Sequence, residues 1–209
     1  MNLPTHAEAL ALFETYAVPS NIFSHCKKVC EVGTFLAQEL KKKGMAVNVE
    51  LVSRACLLHD LMKAVVFENI STPNPTLNFY PTPAQIAMHA QLRKKYAGMH
   101  EDAIAYEILH TNYPELAAII RGTKDANGEH DTARMSIEEK IKWYSDWRVF
   151  IDTIVTIDER AAEAYERKKA RLSKILPKWT HEIEKAKQVE QELFAHIDFP
   201  PEKLKDMIP

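Results

Sequence analysis

The stretch Leu57–Lys63, LLHDLMK, places an adjacent histidine and aspartate among Leu57, Leu58 and Leu61. A carboxylate in such apolar company is costly to bury unless a cation compensates it. A divalent metal ion is one such cation. Adjacent helical residues point about 100° apart, so His59 and Asp60 can both reach an ion lying between their directions. Lys63 follows His59 by four residues and Asp60 by three, on the same helical face, where it could touch a phosphate held on the metal. An isolated His-Asp pair, however, is ordinarily a solvated pair at a helix end. His25, in NIFSHCKKV, and Asp146, in IKWYSDWRV, read singly as a satisfied core histidine and a helix-surface acid.

Helical periodicity dominates the segments that must position these residues. One helix is expected from about Thr5 to Tyr16, ending before Pro19. A second starts at Ser20 or Asn21, either of which can cap it, and stops at Gly44. It carries His25, Val29, Val32 and Leu36 on one face. A third runs from Asn48 to about Val65 and Val66, with Leu51, Val52, Ala55, Leu58 and Met62 facing inward. Four prolines between Glu68 and Pro83 exclude helix and predict an ordered loop. That loop follows the His-Asp pair, so it reads either as a pocket wall with Phe79 or Tyr80 stacking on a base, or as a stiffened connection. Further helices are expected from Pro83 to Tyr96, from near His100, and from Pro114 to Ile120. Ser136 with Glu139 forms a capping box for a helix carrying Ile141, Tyr144, Trp147 and Ile151. From Asp158 to His196 the chain is helical and highly charged, with a bend at Pro177. No strand is expected. The fold class is all-α, with residues 1–157 as a helical domain and 158–209 as a charged helical extension packing on it.

A histidine in an early helix, the His59–Asp60 pair in the next and Asp146 in a later one resemble the HD superfamily of metal-dependent phosphohydrolases, in its bacterial and archaeal hydrolase branch. The motif-bearing segments are SNIFSHCKKVCEVGTFLAQEL, VSRACLLHDLMKA and SIEEKIKWYSDWRV. HEDAIAYEIL, YPELAAIIRG and TIDERAAEAYERKK match in texture, and the likeness covers residues 20 to 170. It implies an HD-domain helical bundle with one divalent ion (Mn, Fe, Co, Ni, Zn or Mg) held by His25, His59, Asp60 and Asp146. The implied activity is hydrolysis of a nucleotide or other small phosphorylated metabolite, as a phosphomonoesterase or phosphodiesterase, through a metal-activated water. Asp60, Lys63 and His100 are then the catalytic candidates, and Lys63, Lys124 and Arg148 the substrate ligands. His100 opens a helix, whose N-terminus disfavours the imidazolium, so a neutral ring is expected there. Arg148 offers a planar fork that suits phosphate, although two residues from Asp146 it points well away around the axis. One departure stands out: two-metal members carry a further histidine where this chain has Lys124, which favours one metal over two. His89 and His110 lack matching context and read as structural or surface residues. Alternative readings are a non-catalytic regulatory module that binds metal or nucleotide, and an iron oxygenase on the same scaffold.

The 209 residues, 46% hydrophobic and 27% charged, allow one sizeable core. A net charge of −2 gives no reason to expect nucleic acid or a membrane as partner, and a small phosphorylated substrate is expected instead, with a homodimer allowed. Arg160, Arg167, Lys168, Lys169, Arg171 and Lys174 alternate with Glu159, Glu163 and Glu166, which reads as a solvated face or a partner helix. Three cysteines without framework spacing suggest reduced thiols, with Cys26 and Cys30 read as core. The opening MNLPTHAEAL lacks the cationic start and apolar run of a signal peptide. No stretch approaches the ~18 apolar residues of a membrane span, so a cytoplasmic location is expected.

Overall fold

Capping chemistry sets several of the helix starts in the structure, a computed structural model that describes residues 1–67 and 69–208. Glu68, Pro209 and the side chains of Lys168, Arg171 and Leu172 lie outside the described residues, which touches the first residue of the expected loop and part of the expected C-terminal basic cluster. Thr5 and Glu8 form a capping box that starts α1 (His6–Thr15). Helix α2 (Ser20–Lys42) begins after Pro19 without a side-chain cap, where Ser20 or Asn21 was expected to provide one. The Asn48 side chain caps α3 (Val49–Leu58). Thr82 and Gln85 box the start of α4 (Pro83–Lys95), with Pro83 in its first turn. His100 precedes α5 (Glu101–Leu109), and Pro114 opens α6 (Pro114–Arg121). The predicted box of Ser136 and Glu139 starts α7 (Ile137–Trp147). A two-stranded hairpin follows, β1 (Val149–Phe150) against β2 (Thr153–Ile154), with Ile151 at φ 56° in its turn. Beyond it come α8 (Ile157–Leu172), α9 (Leu176–Phe194), with Pro177 in its first turn, and α10 (Leu204–Met207). The chain is all-α in class, as expected, and among the described residues the hairpin, with isolated bridges at Asn74–Phe79 and Lys124–His130, departs from the expected absence of strands.

The third helix ends earlier than its periodicity predicts. It stops at Leu58, and a 3-10 turn covers Lys63–Val66. Bonds of i→i+3 type, Leu61 N–H to Leu58 O (3.1 Å) and Lys63 N–H to Asp60 O (3.0 Å), tighten the intervening chain. The His59 side chain takes the Cys56 carbonyl at 2.8 Å, the acceptor that the Asp60 N–H would use in a continuing α-helix. The His-Asp pair therefore sits on a helix end rather than within a helix.

Two apolar clusters flank α2 and α3. One joins Ala9 and Phe13 of α1 to Leu57, Leu58, Ile104 and Leu116. The other joins Val29, Val32 and Leu36 to Ile141 and Tyr144 of α7 and to Ala186, Val189 and Leu193 of α9. The charged C-terminal helices thus contribute apolar side chains to the same core as α2. Among the described residues no helix is long and apolar enough to cross a membrane.

Candidate metal centre

Each of the two histidines at the centre is oriented by a backbone carbonyl. His25 Nδ1 lies 3.0 Å from the Ile151 carbonyl in the hairpin turn, and His59 Nδ1 lies 2.8 Å from the Cys56 carbonyl. A carbonyl only accepts, so both Nδ1 atoms carry a hydrogen, and each ring turns its Nε2 toward the carboxylates. His25 Nε2 faces Asp146 Oδ1 at 3.0 Å. His59 Nε2 is buried with no hydrogen-bond partner, 3.7 Å from Asp60 Oδ2 and 3.7 Å from Asp146 Oδ1. Ligand atoms of His25, His59 and Asp60 all lie within 4.8 Å of one another. Asp146 flanks this trio from α7, with its side chain 40% exposed toward the opening.

Burial pushes the Asp60 carboxyl up, but Lys63 and His59 outweigh it and hold Asp60 below its ordinary value. Burial likewise opposes ionisation of Asp146, yet its bond to His25 and the nearby His59 ring keep it well below its ordinary value. Burial would depress His59, but Asp60 foremost raises it well above its ordinary value. Two ionised carboxylates and two imidazole Nε2 atoms converge on one small volume, an arrangement stabilised by positive charge at its centre, whether a proton on His59 or a bound cation. An orphaned buried Nε2 and a mixed N/O donor set fit a divalent metal ion. The carbonyl bonds behind each ring are the outer support usual for metal-binding histidines.

Beside the trio, Lys63 Nζ donates to Glu101 Oε1 at 2.7 Å and lies 3.6 Å from Asp60 Oδ1. Burial disfavours its charge, but Asp60 and Glu101 overcompensate and hold Lys63 firmly protonated. His100 stands on the rim, its Nε2 3.0 Å from Glu101 and its Nδ1 2.9 Å from Asp102. Against the expected effect of the helix terminus, its bond to Asp102 foremost, with Glu101, raises the His100 pKa. His25, Asp60, Lys63, His100 and Asp146 all line one cavity of about 1120 Å³.

Two expected substrate ligands are not in that lining. Lys124 Nζ lies 3.1 Å from His130 Nε2 and 3.5 Å from Asp102 Oδ2, behind His100. Arg148, expected at the substrate, is 2% exposed and turned into the C-terminal packing. It donates to the Val155 carbonyl (2.6 Å), Glu190 (3.1 Å), the Pro201 carbonyl (3.0 Å) and the Tyr144 hydroxyl. Its place two residues after Asp146 sends it to the other side of α7. His89 is buried, with Nε2 at 3.1 Å from the Ala17 carbonyl, and is structural as expected. Of the two loop aromatics, Phe79 lines the cavity and Tyr80, 61% exposed, does not. Sequence reasoning missed Glu101, although an acid beside a candidate histidine at a helix start was a usable signal. It also missed Asn21, one turn before His25 and on the cavity wall, and the role of the Ile151 carbonyl, which no local pattern announces.

An all-helical bundle thus brings His25 from α2, the His59–Asp60 pair just after α3 and Asp146 from α7 together, the arrangement of a metal-binding centre. The HD domain family matches residues 22–148, a span that contains His25, His59, Asp60 and Asp146, and the chain belongs to that family. HD domains generally bind divalent metals and are hydrolase-type, most often phosphohydrolases. No curated protein and no solved structure matches the chain.

Proposed function

We propose that this protein hydrolyses a phosphoester of a nucleotide or another small phosphorylated metabolite, with one divalent ion held by His25, His59, Asp60 and Asp146. The observation that carries this reading is the convergence of two carbonyl-oriented imidazole Nε2 atoms with two ionised carboxylates beside a cavity that also presents Lys63. When bound, the metal supplies Lewis acidity toward a phosphoryl oxygen and lowers the pKa of a coordinated water. Lys63, kept protonated by Asp60 and Glu101, neutralises phosphate charge as it approaches. Asp60 Oδ1, 3.6 Å from Lys63, orients the attacking water. His100, with its pKa raised by Asp102 and Glu101, carries a proton at the rim for the leaving oxygen. The chain is proposed to work as one unit, residues 158–209 completing the domain formed by 1–157.

The test is metal analysis of the purified protein, then a phosphomonoester and phosphodiester screen with that metal restored. The expected result is near-stoichiometric metal, phosphate release from at least one substrate, and loss of at least 100-fold in rate for Asp60→Ala, the scale of a lost catalytic group. A metal-loaded protein that cleaves no phosphoester would refute the reading. Metal-dependent thermal stabilisation without turnover would point to a regulatory module instead.

A further inference from the structure

Helix α8 also contributes to the lining of this cavity, and its contribution is basic. Arg160 and Arg167 both line the cavity that Asp60 and Asp146 line. Seven residues apart, they share one face of α8, about 10.5 Å apart along its axis. Between them Glu163 serves both: Arg160 donates to it at 2.9 Å, and Arg167 at 2.6 and 3.3 Å. Among the described residues Glu163 is the one carboxylate paired with either arginine, so two guanidinium groups share one negative charge. Arg160 is half-buried, its side chain 20% exposed, and Arg167 is more open. Arg160 also lies over the Phe150 ring, 5.6 Å from its centroid, and Phe150 itself lines the cavity. Phe150 is next to Ile151, whose carbonyl orients His25, so one short hairpin links the arginine wall to the metal centre.

We propose that Arg160 and Arg167 form a second anion-binding arm, and that the preferred substrate carries a phosphate group at each end, one at the metal centre and one on α8. This rests on the phosphohydrolase reading above. The chemistry fits: each guanidinium offers five N–H donors in a fixed fork that matches phosphate oxygens, and Glu163 uses only part of them. The cavity, at about 1120 Å³, lies beyond the upper end of the ~300–1,000 Å³ usual for small-molecule sites and has room for more than a simple monoester. The arm is a specificity device. It binds the part of the substrate that does not react, which fixes the position of the part that does.

The test uses the full-length, metal-loaded protein. Binding of alkanediol bisphosphates of increasing chain length and of the matching alkyl monophosphates is measured by calorimetry, separately from turnover of p-nitrophenyl phosphate. The expected result is a bisphosphate of optimal length bound about 10- to 100-fold more tightly than its monophosphate, the scale of charge-assisted hydrogen bonds. In an Arg160→Gln/Arg167→Gln double variant that preference falls toward unity. In Arg160→Lys/Arg167→Lys, which keeps the charge and loses the fork, it is intermediate, and this variant replaces the first if the glutamines impair folding. A wild-type protein without preference at any length, or a preference that survives in the glutamine variant, overturns the proposal. If p-nitrophenyl phosphate and the other phosphoesters are not hydrolysed while the bisphosphate preference holds, the catalytic reading fails and the anion arm stands.

Discussion

Replacing Arg148 with methionine separates a structural role from a substrate-binding one. The guanidinium is 2% exposed and holds Glu190 of α9, the Pro201 carbonyl near the C-terminus, the Val155 carbonyl after the hairpin and the Tyr144 hydroxyl. Methionine fills most of the stem volume but removes every donor. Glu190, 20% exposed and also accepting from Tyr144 at 2.6 Å, is then left with an uncompensated charge. Breaking a buried ion pair on one side costs about 3–5 kcal/mol, and the partial exposure of Glu190 favours the lower half of that range. At about 2–4 °C per kcal/mol for a chain of this size, Tm falls by roughly 6–15 °C. Arg148→Met/Glu190→Gln removes the stranded charge and recovers about 1–2 kcal/mol, a coupling expected only if the two side chains interact directly. Thermal and urea unfolding of the wild type, both single variants and the double variant provide the cycle. If Arg148→Met unfolds within about 2 °C of wild type and instead raises KM, Arg148 belongs at the substrate and the packing argument is wrong.

Gly33 and Asp102 offer two further tests. A Cβ at Gly33 in α2 would run into the Cys56 sulfur of α3 and approach Ser145 Oγ of α7 at 3.2 Å. Overpacking of about 1–3 kcal/mol therefore exceeds the helix-propensity gain of alanine, so Gly33→Ala lowers Tm, and adding Cys56→Ala restores part of the loss. A Gly33→Ala protein more stable than wild type would contradict the close approach. The Asp102 carboxyl is held down to about 2: burial works against its charge, but His100 and Lys124 outweigh it. Its stabilisation is present above the ordinary carboxylate pKa and lost as pH falls from about 4 toward 2. The His100 side of the same interaction is fully present below the ordinary histidine pKa and is lost as pH rises through the raised value. Asp102→Asn should thus cost most between about pH 4 and 6.5, roughly 1 kcal/mol after discounting for the 67% exposure of His100, and less on both sides. A stability difference independent of pH, measured by urea unfolding, would show that the pair is not charged.

What was legible in the sequence was local. Thr5, Asn48, Pro83, Pro114 and Ser136 with Glu139 mark helix starts through interactions within four residues, and the structure has a helix starting at or just after each. The positions of His25, His59, Asp60 and Asp146 were legible only as a constellation, because each alone has a bland reading. What was not legible depended on partners far along the chain. The end of α3 at Leu58 is tied to a side-chain bond from His59 to Cys56, which competes with the helical pattern that Met62, Val65 and Val66 continue. The role of Arg148 depends on Glu190 and Pro201, 42 and 53 residues away. From spacing alone, two residues past Asp146 excluded the same face but did not say what the opposite face meets.

The hairpin shows how these distant choices bear on the metal centre. Arg148 closes α7 and fastens the chain after the hairpin through Val155, while the hairpin turn at Ile151 supplies the carbonyl that selects the His25 tautomer. The positive φ of Ile151, 56°, is unfavourable for a β-branched residue and has to be held by its surroundings. The C-terminal helices therefore do more than cover a core. Through Glu190 and Pro201 they anchor the arginine at the base of that turn, and through Arg160 they brace Phe150 within it. The residues matched by the HD domain family end at Arg148, so the carbonyl behind His25 and the α8 wall of the cavity come from the part of the chain beyond the match.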